Sequence, residues 1–338
     1  MAIAGIIGGT ACGRMTCTQV WRAVRLVARA ASHWPRGIDS IAEMNAWHDA
    51  RDGQWIETPP ENNPAFVRSW VARQRDLITK YKPDMVYFDN YGLPLGRYGL
   101  EATAEYYNAS LTWRGELPVV NGKRLEPEQR RGITETVERG FSDSLRPEPW
   151  QTDTCIGDWH YNRSRYTNHS YVPAHSVVQR LVDVVSKNGN LLLNIPQRGD
   201  GSIDSDERAI LAAIAAWMKI NGEAIFATRP WRLYGEGPTE VQAGMHGEGA
   251  ARPWTGRDIR FTTKGQALYA FALDWPDDRR MVVRSLAAGQ AGRIERAELL
   301  GGGALPFRQT DEALVIDLPE DRPVATAPAV RLSGTGLV

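Results

Sequence analysis

The chain has 338 residues, 42% hydrophobic and 24% charged, with 40 basic and 40 acidic side chains. That length suits one large or two smaller globular domains, and a net charge of zero offers no general basic field to draw nucleic acid. Cys12, Cys17 and Cys155 make no disulfide framework, the six histidines show no paired metal spacing, and no apolar run reaches the 18 residues of a membrane span. No cofactor, metal, nucleic-acid partner or membrane is therefore expected.

Residues 1–9 are mildly apolar but lack a basic leading segment, so no signal peptide is read and the compartment stays open. Residues 1–36 show no clear strand. A basic amphipathic helix fits 19–31, and 37–60, with Pro59-Pro60, reads as loop. Order begins at Asn63, a candidate N-cap followed by Pro64. Phe66, Val67, Trp70, Val71, Leu77 and Ile78 then fit one helical face up to Tyr81. Pro83 separates this helix from Met85-Val86-Tyr87-Phe88, a run of strand formers that ends abruptly in Asp89-Asn90-Tyr91-Gly92. A helix, a buried strand and a carboxylate at the strand's C-terminal end make one unit of a β/α barrel, where reacting groups stand at that end. The same residues also compose an ordinary turn.

A second unit follows, with a helix over about 100–113, a strand over 117–120 and Lys123 just beyond it. Residues 126–150 read as polar loop carrying Glu135, Glu138, Asp143 and Glu148. Residues 150–161, WQTDTCIGDWHY, are dense in aromatic and hydrogen-bonding groups and read as a loop, either packed by its own rings or lining a ligand. Valines and leucines from 177 to 185 predict a helix over 173–188, stopped by Gly189. Leu191-Leu192-Leu193 predicts a strand buried on both faces with Asn194 at its end. Asp204 and Glu207 form a candidate capping box for a helix over 205–220. After Trp231 the helical patterns stop. Strands at 258–263, 267–272, 280–285, 293–300 and 313–318, divided by turn residues, predict an antiparallel sandwich.

The stretches YKPDMVYFDNYGLPLG, ERGFSDSLRPEPWQTDTCIGDWHY, LVDVVSKNGNLLLNIPQRGDGSID and WMKINGEAIFATRPW resemble the α-L-fucosidases of glycoside hydrolase family 29. The resemblance runs from about residue 60 to the C-terminus. It implies the C-terminal part of a catalytic β/α barrel over 61–228 and a small antiparallel β-sandwich over 229–338, after a segment, 1–60, unlike the family. It implies an exo-acting, retaining hydrolase of fucosylated glycans or glycosides. Asp89 is then the nucleophile, and Glu138 the acid/base, with Glu135 and Glu148 as alternatives. Gln151 stands where many relatives carry a glutamate. Trp159, or a core role for it, matches the aromatic that packs on the sugar, and Lys123 and Tyr161 are further substrate contacts. The family's first β/α units have no counterpart before Asp89, and His33 and His48 lie in no family-like context. An incomplete barrel, or an inactive fragment that binds only sugar or protein, is therefore also expected. Its bare sheet edge would favour poor solubility or a homo-oligomer.

Overall fold

Val177, Val178, Leu181, Val182, Val184 and Val185 recur at helical spacing, and all six are buried on one helix. It belongs to a computed structural model that describes residues 3–6, 64–250 and 253–338. In chain order the elements are β1 (Ile3–Ile6), α1 (Pro64–Tyr81), β2 (Met85–Tyr91), α2 (Arg97–Arg114), β3 (Val119–Lys123), α3 (Pro127–Arg130), β4 (Thr134–Glu138), β5 (Trp150–Cys155), α4 (Arg163–Thr167), α5 (Ala174–Ser186), β6 (Gly189–Asn194) and α6 (Ser205–Asn221). Strands then dominate: β7 (Arg229–Glu236), β8 (Ile259–Lys264), β9 (Ala267–Ala272), β10 (Arg280–Val283), β11 (Arg293–Leu299), β12 (Gly303–Ala304), β13 (Phe307–Gln309), β14 (Leu314–Asp317) and β15 (Ala329–Thr335). The helix read at 19–31, the Asn63 cap, His33 and His48 lie outside the described residues.

By contacts the chain divides into two compact units, Arg14–Thr136 and Met1–Gly13 with Val137–Val338. In the first, β2, β3 and β4 run parallel, with Val86 opposite Val120 and Asn121 opposite Thr134. Helices α1 and α2 follow the β/α alternation. Ile78, Phe88, Tyr106, Val120 and Ile133 form their shared core. Val119 starts β3 two residues later than the sequence reading, where pairing with Met85 begins, and Leu117 stays exposed.

In the second unit β5 and β6 are parallel, with Trp150 opposite Gly189 and Cys155 opposite Asn194. Asn188, in the left-handed region at φ 70°, makes the turn after α5. Gly189 is needed for space instead, since a Cβ there would meet the Trp150 ring at 2.7 Å. Asp204 and Glu207 form the capping box of α6 with reciprocal bonds of 2.9 and 3.0 Å. The outer edge of β6 is occupied: Ile3–Ile6 pair with it antiparallel, Ile3 opposite Asn194. The absence of a strand in residues 1–36 is thus corrected at this place, while the sheet, ordered β1-β6-β5-β4-β3-β2, stays open with β1 and β2 at its ends. Four residues, Ile-Ala-Gly-Ile, carry too little alternation to announce a strand.

Two further corrections concern residues 126–161. The polar stretch holds α3 and β4, and WQTDTC is no loop but the fully buried β5. Its polar side chains are paired out of sequence: Thr152 Oγ1 donates to Val137 O at 2.9 Å and lies 3.0 Å from Gly140 O. From Arg229 onward an antiparallel six-stranded sheet, ordered β12-β11-β15-β9-β8-β7, accompanies a three-stranded sheet β10-β14-β13. The fold is thus an incomplete β/α barrel, as described, followed by an antiparallel β-sandwich. Within the second unit one core joins α5, α6 and β6 to both sheets. Trp217, on α6, donates its indole N–H to Thr326 O at 3.0 Å.

Candidate active site

Strand β2 breaks its ladder where chemistry was expected. Tyr87 faces Asn121 and Tyr91 faces Lys123, so Phe88, Asp89 and Asn90 form a bulge against a single intervening residue of β3. Phe88 turns into the core beside Trp70, and Asp89 emerges on the surface with its side chain 72% exposed. Lys123, whose side chain is only 6% exposed, reaches Asp89 Oδ1 with its Nζ at 2.6 Å. Gly92 closes the bulge at φ 77° by donating its N–H to Lys123 O at 2.6 Å. The carboxylate is therefore held from below by a buried ammonium and open to solvent above. Beside Lys123 on β3, the Asn121 amide is buried; its Oδ1 has no hydrogen-bond partner among the described residues.

The three candidate acids occupy different places. Glu135 is buried on β4, with Oε1 3.1 Å from the Arg130 guanidinium. Glu148 precedes Trp150, at the N-terminal end of β5, away from the end where a barrel carries its chemistry. Glu138 is the last residue of β4. Alternation along the strand puts it on the face of Thr136, which Asn121 contacts at 3.4 Å, and puts Glu135 and Val137 on the other. Asp89 and Lys123 belong to the unit Arg14–Thr136, and Glu138, Trp159 and Tyr161 to the unit containing Val137–Val338.

Trp159 and Tyr161 lie in the segment after β5, both half-buried. Asn194, at the end of β6, donates from Nδ2 to Trp159 O at 3.1 Å. Arg198 donates from Nε to the Tyr161 hydroxyl at 3.3 Å and lies over the Tyr161 and Tyr166 rings at 5.7 and 5.5 Å. The ends of β5 and β6 are joined by these bonds. Nothing in the sequence singles out Arg198, since an arginine in a Gly-rich loop has no signature. The Cys155 thiol is buried and donates to Gly157 O at 2.9 Å; burial pushes its pKa up, which makes it a poor nucleophile.

Among the described residues no group of three or more His, Cys, Asp or Glu is placed to hold a metal ion, and no helix is long and apolar enough to cross a membrane. The arrangement can present a fixed carboxylate at a strand end.

Comparison with known proteins gives these features a family. The model of the α-L-fucosidase family matches residues 31–223, and that of the α-L-fucosidase C-terminal domain matches residues 253–333. Tissue α-L-fucosidase of Rattus norvegicus is 30% identical over 261 residues, 72% of this chain and 50% of the relative. That of Homo sapiens is 29% identical over 265 residues, 74% and 50%. The crystal structure of Thermotoga maritima α-fucosidase in complex with a mechanism-based inhibitor superposes with a TM-score of 0.60 at 26% identity, covering 81% of this chain and 58% of that one. The chain spans about half the length of the curated relatives it matches. With the first match covering more than half of its residues and the second following in order over the sandwich, this chain belongs to the α-L-fucosidase family.

Proposed function

We propose that the chain carries the catalytic carboxylates of an exo-acting, retaining α-L-fucosidase that removes terminal fucosyl groups from glycans or glycosides. The observation that carries this reading is Asp89, lifted out of β2 by a bulge and gripped by buried Lys123 at 2.6 Å. In a retaining path one carboxylate attacks the anomeric carbon while a second, about 5 Å away, protonates the leaving oxygen. Asp89 is the nucleophile and Lys123 orients it. Glu138 is the acid/base, supported by its place at the end of β4. Glu135 is engaged by Arg130, and Glu148 belongs to the wrong end of its strand. Trp159 offers an aromatic face to the sugar, and Tyr161 with Lys123 offers polar contacts. The barrel part is assigned to residues 61–228 and the sandwich to 229–338.

The test is hydrolysis of 4-nitrophenyl α-L-fucoside, with the galactoside in parallel. Release of nitrophenol from the fucoside supports the reading, and preference for the galactoside redirects it to a related sugar. A second reading, an inactive module that binds sugar or a partner chain, is favoured by the chain's spanning half the length of its relatives. A cooperatively melting protein inert to both glycosides would support that one.

Glu138→Ala is expected to slow fucosides with poor leaving groups by about 10²–10⁴-fold and aryl fucosides far less, because a good leaving group needs little protonation. Equal losses on both substrates would move the role to Glu135 or Glu148.

A further inference from the structure

Residue Arg139, directly after Glu138, has φ 47°, a left-handed backbone uncommon for a residue with a side chain. Its N–H donates to Asp153 O at 2.8 Å, fixing it to β5. The Thr152 hydroxyl of β5 bonds Val137 O and Gly140 O, and the turn is also held by a segment about a hundred residues later in the chain, 244–248, between β7 and β8. Gly244 donates its N–H to Phe141 O at 3.0 Å, His246 to Glu138 O at 2.8 Å, and Glu248 to Arg139 O at 3.2 Å. Met245 packs on the cluster of Val137, Trp150 and Val184. Gly140 and Gly244 touch so closely that a Cβ on Gly140 would stand 1.9 Å from Gly244 O. The Glu248 carboxylate, with its side chain 11% exposed, is shared by two arginines: Oε2 accepts from Arg139 Nε at 3.2 Å and Oε1 from Arg180 Nη1 at 2.5 Å. Arg180, on α5, also donates to Thr154 Oγ1 of β5 at 2.9 Å and lies 5.0 Å over the Phe141 ring.

We propose that residues 244–248 clamp the end of β4 and set the orientation of Glu138, and that Glu248 is a positioning residue for proton donation to the leaving group. This rests on Glu138 being the acid/base. The segment bonds to the backbone of Glu138, Arg139 and Phe141 but leaves the reacting carboxylates themselves to others, so its effect is geometric. Glu248 cannot serve as the donor while each of its oxygens accepts from a guanidinium. The clamp also gives the sandwich part of the chain a share in the chemistry of the barrel part. A proton donor displaced by about 1 Å can cost on the order of 10²-fold in rate.

The test compares Glu248→Ala, Glu248→Gln and Gly140→Ala in the full chain. Glu248→Ala is expected to lower kcat/KM for a fucoside with a poor leaving group by about 10–100-fold while 4-nitrophenyl α-L-fucoside changes by less than about 3-fold. Glu248→Gln keeps one acceptor oxygen and is expected to recover part of the loss. Gly140→Ala forces the two segments apart by an independent route and is expected to reproduce the selectivity. Equal losses on both substrates, or none, would overturn the inference, since a purely stabilising contact does not read the leaving group. Glu138→Ala is run beside them: if it lacks the leaving-group effect, the acid/base reading has failed rather than the clamp. Amide hydrogen exchange then judges the clamp without turnover. In Glu248→Ala the amides of Gly244, His246 and residue 248 are expected to exchange at least about 10-fold faster than in the parent, with the α5 amides unchanged. Unchanged exchange at all three would overturn the clamp whatever the activity.

Discussion

Asp89→Gly is expected to cut turnover of 4-nitrophenyl α-L-fucoside by about 10⁴-fold or more, and added azide to restore part of it. In the retaining path proposed above, the Asp89 carboxylate would form the bond to the anomeric carbon as the aglycone leaves, and water would later displace it. Removing it deletes the first step while leaving Phe88 in the core and the β2 bulge closed by Gly92, because the Asp89 side chain lies largely outside the packing. Azide can enter the space and attack from the same face, giving a fucosyl azide of inverted configuration. That product distinguishes a missing nucleophile from a damaged fold. Asp89→Asn is the companion variant: its amide oxygen can still accept from Lys123, so the bulge keeps its support while the nucleophile is lost. Near-normal turnover in either variant would rule Asp89 out.

The Asp89 unit was legible because three independent signals coincide there: a helical face up to Tyr81, a proline, and a short run of strand formers cut off by an acid. Leu191 to Leu193 and the Asp204 capping box were legible for the same reason, since local chemistry and global position agree. Strand β5 was not. Gln151, Thr152, Asp153 and Thr154 are polar and all buried, and what makes burial tolerable, such as the Thr152 hydroxyl against Val137 O and Gly140 O, lies across the chain. Strand β15, central between β11 and β9, was missed because Ser333 and Gly334 interrupt its apolar run. The bulge was invisible as well. Asp89 looked like the residue after a strand, whereas pairing resumes at Tyr91. The contact between residues 138–141 and 244–248 had no signal at all, because glycines at 140 and 244 declare their purpose only when the two backbones meet.

The largest effect on stability is expected at Asp183. Its carboxylate, 1% exposed on α5, is 2.8 Å from Lys187 Nζ one turn on and 2.7 Å from Arg260 Nε of β8. Lys187 also donates to Ser142 O at 2.8 Å, and both cations lie over the Tyr234 ring, at 4.8 and 5.4 Å. One carboxylate thus binds α5 to the sandwich strand β8. Asp183→Ala strands two cations away from water, and a buried pair broken on one side costs about 3–5 kcal/mol, a large share of a domain's usual stability of about 5–15 kcal/mol. Replacing all three by apolar residues of like volume, Asp183→Leu with Lys187→Met and Arg260→Met, is expected to cost far less. The pH dependence has a definite sign. Burial alone would raise the Asp183 pKa, but Lys187 and Arg260 outweigh it and hold the carboxyl below the ordinary carboxylate range. A depressed folded-state pKa means that the unfolded chain takes up protons first. The stabilisation is therefore complete above the unfolded value of about 3.9 and is lost as pH falls through the folded one. Urea midpoints measured from pH 6 down to pH 3 should fall less steeply in Asp183→Asn than in the parent, from a lower starting point. Parallel slopes would show that Asp183 is not among the groups that link folding to acid.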